Sequence, residues 1–382
     1  MSERDEDPFT DHNVYILGAG FSAAAEIPVL NEFLHGMRSS LSWLSAHKRT
    51  DELSAVREVL QFRKRAASAA LRVNLNVENS EDLFSLAAAS GQYPLADSVS
   101  TAIAATLAFA TNTRKQPDIF VSVKHGLDAP ANWELRQEAD EVNKYMVPLY
   151  DLYAGLLSGV PCGLHASMKN TVISFNYDTV LEDALWNWNL RSWYGFNSES
   201  VEYDDSCHFV SENEADGDLS ILKLHGSVNW SVPSSGGKLQ IYGGYEELLA
   251  AQRQVLLVPP TWRKTLSGPI SEVWDAAVRA LTNATRIVII GFSIPPTDIH
   301  FKYLLAAGLQ ENISLRKTCC LNIDPEVEVN LFKILREDLK QQKMVFFSGI
   351  RSEDIFFSPV TEAYQTLPEL FDRSFHGHIT RG

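Results

Sequence analysis

Cysteine is scarce in this chain of 382 residues: only Cys162, Cys207, Cys319 and Cys320 occur, and no two are spaced as a Cys-x-x-Cys pair. Zinc ribbons need such close pairs, and small secreted scaffolds need many more thiols. The adjacent Cys319 and Cys320 sit in an apolar run and read as small hydrophobes. No structural zinc and no disulfide framework are therefore expected, and a reducing, cytoplasmic setting is. Basic residues are also in deficit, with 33 Lys and Arg against 48 Asp and Glu, a net charge of -15. A protein that displaces counterions from a phosphate backbone needs the reverse, so direct nucleic-acid binding is not expected. The most basic stretch, "RKRAASAALR" at 63–72, reads as a solvated helix face. Long apolar runs are missing too, so no membrane-spanning segment is expected. The opening "MSERDEDPFTDH" lacks the basic start and apolar core of a secretory signal.

What is present describes a globular chain: 45% hydrophobic and 21% charged residues. The length suits one large domain with an insertion, or two domains. Short apolar, β-branched runs bounded by turn residues read as buried parallel strands. They are "VYIL" (14–17), "TVISF" (171–175), "ILKL" (221–224), "VLLV" (255–258), "RIVII" (286–290), "CCLNI" (319–323) and "MVFF" (344–347). Helical spacing follows in 270–284, 298–309 and 326–339. Strand alternating with helix predicts an α/β fold, a doubly wound, mostly parallel Rossmann-like sheet. A helical reading also covers 80–90, 96–110 and 132–157, where strand signals are nearly absent. The expected division is thus a nucleotide-binding domain from 1–35 and 166–382, interrupted by a large helical insertion at 36–165. Residues 197–218 and 233–238 read as loops.

Four strand ends carry the chemistry. In "VYILGAGFSAAAEIP" (14–28) an apolar strand meets Gly18-Ala19-Gly20, with a helix expected in the alanines. Glycines before a helix start can cradle a phosphate, or make a tight turn. In "VISFNYDTVLEDAL" (172–185), Asn176 and Asp178 follow a strand, the place where open α/β sheets bind ligands; Asp178 also suits a plain helix cap. In "LKLHGSVNW" (222–230), His225 ends a strand with Gly226 beside it. An imidazole there suits proton transfer, or a structural role. "IIGFSIPPTD" (289–298) and "LNIDPE" (321–326) present Gly291, Ser293, Asn322 and Asp324. Polar groups at such ends can bond a ribose hydroxyl, while Asp324-Pro325 equally suits a helix start.

Taken in order, GAGFS, FNYD, LHG, GFS and NID resemble the sirtuin superfamily. The resemblance implies that Gly18, Ala19, Gly20, Phe21 and Ser22 hold the NAD pyrophosphate. It implies that Asn176 positions the reacting ribose or a water, Asp178 the nicotinamide amide, and His225 the general base. Gly291, Ser293, Asn322 and Asp324 would then line the adenosine side. The chain departs from the protein-deacylating members in three ways. It lacks their four-cysteine zinc ribbon, Phe175 replaces the glutamine before the asparagine, and "EIPVLNEF" lacks their arginine. The pattern is most similar to sirtuin-like NADase domains of bacterial antiphage defence systems. That resemblance implies an NAD⁺ hydrolase releasing nicotinamide and ADP-ribose, cytoplasmic, homo-oligomeric and gated by a partner such as a HerA-type ring ATPase or an Argonaute. The alternatives are an NAD or ADP-ribose sensor without turnover, and a sirtuin-type deacylase or ADP-ribosyltransferase. The aromatic cluster "LWNWNLRSWYGF" (185–196) could stack bases, but core packing or a subunit contact suits the acidic balance better.

Overall fold

The computed structural model describes residues 11–90, 93–113, 117–124, 133–138, 142–159, 168–232, 237–261, 268–294, 299–334 and 344–348. The sequence readings at 1–10, Cys162, 233–236, 295–298 and 335–343 lie outside the described residues.

From its start the chain runs β1 (Asp11–Leu17), α1 (Phe33–Ala46), α2 (Thr50–Arg72), α3 (Ser80–Ala89) and α4 (Tyr93–Thr113). Next come β2 (Asp118–Lys124), β3 (Glu134–Glu138), β4 (Val142–Pro148) and α5 (Leu149–Ser158). Then follow β5 (Met168–Ser174), α6 (Val180–Asn187), β6 (Ser192–Trp193), β7 (Val201–Tyr203) and β8 (Leu219–Lys223). The remainder is β9 (Trp230–Ser231), β10 (Leu239–Ile241), α7 (Tyr245–Ala250), α8 (Pro269–Thr282) and β11 (Arg286–Ile290). It ends with α9 (Ile299–Leu309), β12 (Lys317–Asn322), α10 (Glu326–Ile334) and β13 (Met344–Ser348).

Seven strands form one sheet in the order β13-β12-β11-β1-β5-β8-β6, every pairing parallel. β1 lies inside it, with Tyr15 opposite Val288 on one side and Val172 on the other. Val14 to Leu17 and Ile287 to Ile290 are all buried, as unbroken apolar strands covered on both faces must be. The chain leaves β1 toward β5 and later returns to β11 on the opposite side. Parallel connections of this kind are right-handed as a rule, so winding in both directions from β1 covers both faces and makes the sheet doubly wound. The carboxyl ends of β1, β5, β8, β11 and β12 consequently share one edge, with the order reversing at β1. Helix α8 shows how the layers are covered: Pro269 opens it, and Ile270, Val273, Trp274, Ala277 and Leu281 turn one stripe inward.

Several elements differ from the sequence reading. Residues 132–157 are not one helical stretch but β3, β4 and then α5. β2, β4 and β3 form an antiparallel sheet, in which every residue of β3 is exposed. Its Glu, Arg and Gln favour helix locally, and cross-strand pairing overrides that preference. The alanines after the glycine turn make only a four-residue 3₁₀ turn, Ser22–Ala25, closed by Glu26 at φ 57°. Ile27-Pro28 lies directly beyond, and the residue before a proline is biased away from helix. "VLLV" is not a sheet strand; it meets the His225 turn through a single bridge between Leu257 and Gly226. Within the 197–218 loop, Val201–Tyr203 is a strand of the small sheet β7-β10-β9.

Candidate functional site

The glycine turn after β1 is built against the end of β11. The Gly18 N–H donates to the Ile290 carbonyl at 3.1 Å and the Gly20 N–H to that of Gly291 at 2.8 Å. A Cβ on Gly18 would lie 2.5 Å from Phe292 Cα, and one on Gly20 would lie 2.8 Å from the Gly291 oxygen. Gly291 itself has φ +61°, and a Cβ there would lie 2.3 Å from the Phe21 nitrogen. The glycines are therefore required by the interlock of two strand ends. The Phe21 and Ser22 N–H groups donate back to the Gly18 and Ala19 carbonyls at 2.9 and 3.2 Å. Of the five turn amides from Gly18 to Ser22, only that of Ala19 takes no bond among the described residues. From the other side Tyr150 of α5 donates its hydroxyl to the Phe21 carbonyl at 2.6 Å and accepts from the Ala25 N–H at 3.2 Å.

Asn176, buried at the end of β5, reaches across to this turn. Its Nδ2 donates to the Gly18 carbonyl and to Ser22 Oγ, both at 3.0 Å. Its Oδ1 takes no bond among the described residues. Ser22 Oγ donates in turn to Asp178 Oδ1 at 3.1 Å, and the same oxygen accepts the Val180 N–H at 3.2 Å. Asp178, just outside the α6 N-cap, thus holds the first N–H of the helix and anchors Ser22 at once. Burial pushes its carboxyl above the usual range, opposed by the Lys223 ammonium.

His225 is buried after β8, where Gly226 at φ +80° turns the chain under the Leu256 carbonyl. Its ring stands edge-on to Phe175, with centroids 5.2 Å apart, and Phe175 stacks on Phe292 at 4.3 Å. Phe301 of α9 closes this apolar group. Phe175 is therefore a packing bridge from the His225 turn to the end of β11.

Asn322, at the end of β12, donates Nδ2 to the Phe292 carbonyl at 3.1 Å. Its Oδ1 accepts the Asp324 N–H at 3.0 Å, and Asp324 caps α10 through the Glu326 N–H at 2.9 Å. Ser293 is exposed beside them. Hydrogen bonds bring Gly18, Ser22, Asn176 and Asp178 into one cluster. His225 joins it through the Phe175 ring, and Gly291 and Asn322 join it through the β11 end. Asp324 lies at the outer margin.

Three residues that sequence reasoning passed over support this edge. Tyr150 is one. The others are Lys223 and Glu182, a buried pair at 2.8 Å whose ammonium also donates to the Asp178 carbonyl. A single lysine inside the apolar "ILKL" was the available signal. Among the described residues, no group of three or more His, Cys, Asp or Glu side chains could hold a metal ion. An amide and an imidazole at neighbouring strand ends can hold a polar substrate, orient a water and take up a proton.

Comparison with known proteins gives one family match and a set of similar solved structures. Residues 170–319, which run from β5 into β12, match the SIR2-like domain family. No curated protein matches the chain. Similar solved structures include one described as the structural basis for the mechanism and regulation of Sir2 enzymes. It has 10% identity and a TM-score of 0.40, over 96% of this chain and 94% of the other. Another is a mutant Sir2 homologue in complex with ADP-ribose, with 12% identity and TM-score 0.38 over 97% and 96%. A third is SIR2 with an inhibitor, 2'-O-acetyl-ADP-ribose and a deacetylated peptide, with 12% identity and TM-score 0.33 over 96% and 94%.

Proposed function

We propose that this protein is an NAD⁺ glycohydrolase, cleaving the bond between nicotinamide and ribose with water as acceptor. The observation that carries the reading is the cluster at the carboxyl edge, where the Asn176 amide is tied to the glycine turn and His225 stands one strand away. The bond pair leaves with the pyridinium nitrogen and neutralises its charge, so no strong general acid is needed. The ribose passes through an oxocarbenium-like state of the kind met in glycoside hydrolysis. Asn176 Oδ1 holds the ribose or the attacking water, and His225 takes the proton that water loses. The balance is NAD⁺ plus water giving nicotinamide, ADP-ribose and one proton. Ala19 N–H and the narrow glycine surface would face the pyrophosphate, with Ser293 and Asn322 toward the adenosine. Ser22 Oγ and Asp178 Oδ1 bond to each other and hold this edge in shape, and Asp178 Oδ2 would take the nicotinamide amide.

The match of 170–319 to the SIR2-like domain family supports NAD as the substrate. The motif order supports the finer reading, an NAD-depleting effector of antiphage defence, released by a partner or by assembly. Nicotinamide release is followed by chromatography on purified protein, alone and with an acylated lysine peptide. Asn176→Ala and His225→Ala are each expected to lower the rate by ~10²–10⁴ while the circular dichroism spectrum is kept. Release that requires the peptide would replace hydrolysis with deacylation. Near wild-type turnover in either variant would remove that residue from the mechanism.

A further inference from the structure

The loop bearing Asn176 is held by its own strand, through the bond from the Asn176 N–H to Ser174 Oγ at 3.1 Å, and also from Lys223 of β8 and the chain beyond it. The Tyr177 carbonyl accepts the Val228 N–H at 3.0 Å and Ser227 Oγ at 3.3 Å, and the Tyr177 hydroxyl donates to the Val258 carbonyl at 2.7 Å. The next carbonyl, that of Asp178, accepts the ammonium of Lys223. Lys223 and Glu182 are the innermost charges beside the site, with side chains only 1% and 2% exposed. Glu182 Oε1 accepts from Lys223 Nζ at 2.8 Å and from the Tyr194 hydroxyl at 3.3 Å. Neither charge reaches solvent, and both are spent on each other, on Tyr194 and on one backbone oxygen. A buried pair of this kind is often no more stabilising than apolar side chains of the same volume. Stability therefore gives a weak account of a lysine in the middle of an apolar strand. Its position gives a better one: two residues before His225, it grips the carbonyl two residues after Asn176.

We propose that Lys223 and Glu182 are positioning residues, which set the spacing between the Asn176 loop and the His225 turn by fixing the Asp178 carbonyl. The pair touches no substrate and transfers no proton. It indexes the end of β5 to the end of β8, so that the amide and the imidazole address the same reacting carbon. The proposal rests on the nicotinamide-release reading.

The test replaces both charges together, because removing one strands the other in the interior. The variants are Lys223→Met with Glu182→Leu, and Lys223→Met with Glu182→Gln, which keeps an acceptor for Tyr194. Thermal midpoint, kcat and KM for NAD⁺, and ADP-ribose affinity by calorimetry are measured on each and on the wild type. The expected result is a folded protein whose kcat falls about 10²-fold, the scale of a misplacement near 1 Å. ADP-ribose affinity should stay within about threefold, since the adenosine end is held by β11 and β12. A folded pair variant with wild-type kcat overturns the proposal alone. Failure of both variants to fold also overturns it, because the pair would then serve stability. A wild-type protein that neither releases nicotinamide nor binds ADP-ribose defeats the underlying reading and this proposal with it.

Discussion

Gly291 shows why single residues at this edge are not interchangeable. Its left-handed backbone and the contact with Phe21 and Gly20 leave no room for a methyl group. Gly291→Ala is expected to cost about 3 kcal/mol, from strain and steric overlap together, and to be read as a lower denaturant midpoint at unchanged slope. Ile294, three residues on, is buried at φ 48°, an uncommon conformation for a β-branched side chain. The glycine turn, Asn176 and His225 were legible as strand-end residues. The reason for the glycines was not, because it lies in β11, more than 260 residues away in the chain. The lysine in "ILKL" stood out as a signal, but its reason did not, because it lies in Glu182 and the Asp178 carbonyl, more than 40 residues away.

Elements were legible where burial on both faces or one helical stripe writes itself into the local pattern, and illegible where exposed or irregular residues depend on a pairing partner. The buried parallel strands and the stripe of α8 follow from apolar periodicity. β3 and β4 need each other, and "VLLV" needs the His225 turn, so local pattern misassigned all three. At the opposite end of the sheet, β1 carries a sharper consequence. His12 is buried with its Nε2 3.0 Å from Thr171 Oγ1, and burial, helped by the Lys169 charge, lowers its pKa from 6.5 to about 4. The unfolded chain therefore binds the proton more tightly, and stability rises with pH between about 4 and 6.5. This contribution is complete above 6.5 and is lost as pH falls through about 4. A loss of at most about 3 kcal/mol is expected across that window. Thermal midpoints measured against pH check it, and His12→Gln should flatten that part of the profile.

For the whole molecule, the segment between β1 and β5 is where control of the site would enter. α5 from this segment already touches the turn through Tyr150, and Tyr153 packs on Phe21 with centroids 5.1 Å apart. A shift of α5 would pass directly into the Gly18–Ser22 turn. Unchecked NAD⁺ destruction would harm the cell that makes it, so we expect a homo-oligomer whose activity depends on a partner or on assembly. Light scattering together with the turnover assay, with and without the product of the neighbouring gene, checks this. A monomer fully active alone, and indifferent to any partner, would contradict it.

Hydrolysis of NAD⁺ is proposed to take place at the shared edge of β1, β5 and β8. Its most direct test is the assembled protein incubated with NAD⁺ and water as the only acceptor, with both products quantified over time. Nicotinamide and ADP-ribose are expected in equal amounts, and both should be lost in Asn176→Ala. Intact NAD⁺ after incubation of the assembled, partner-supplied protein would contradict it.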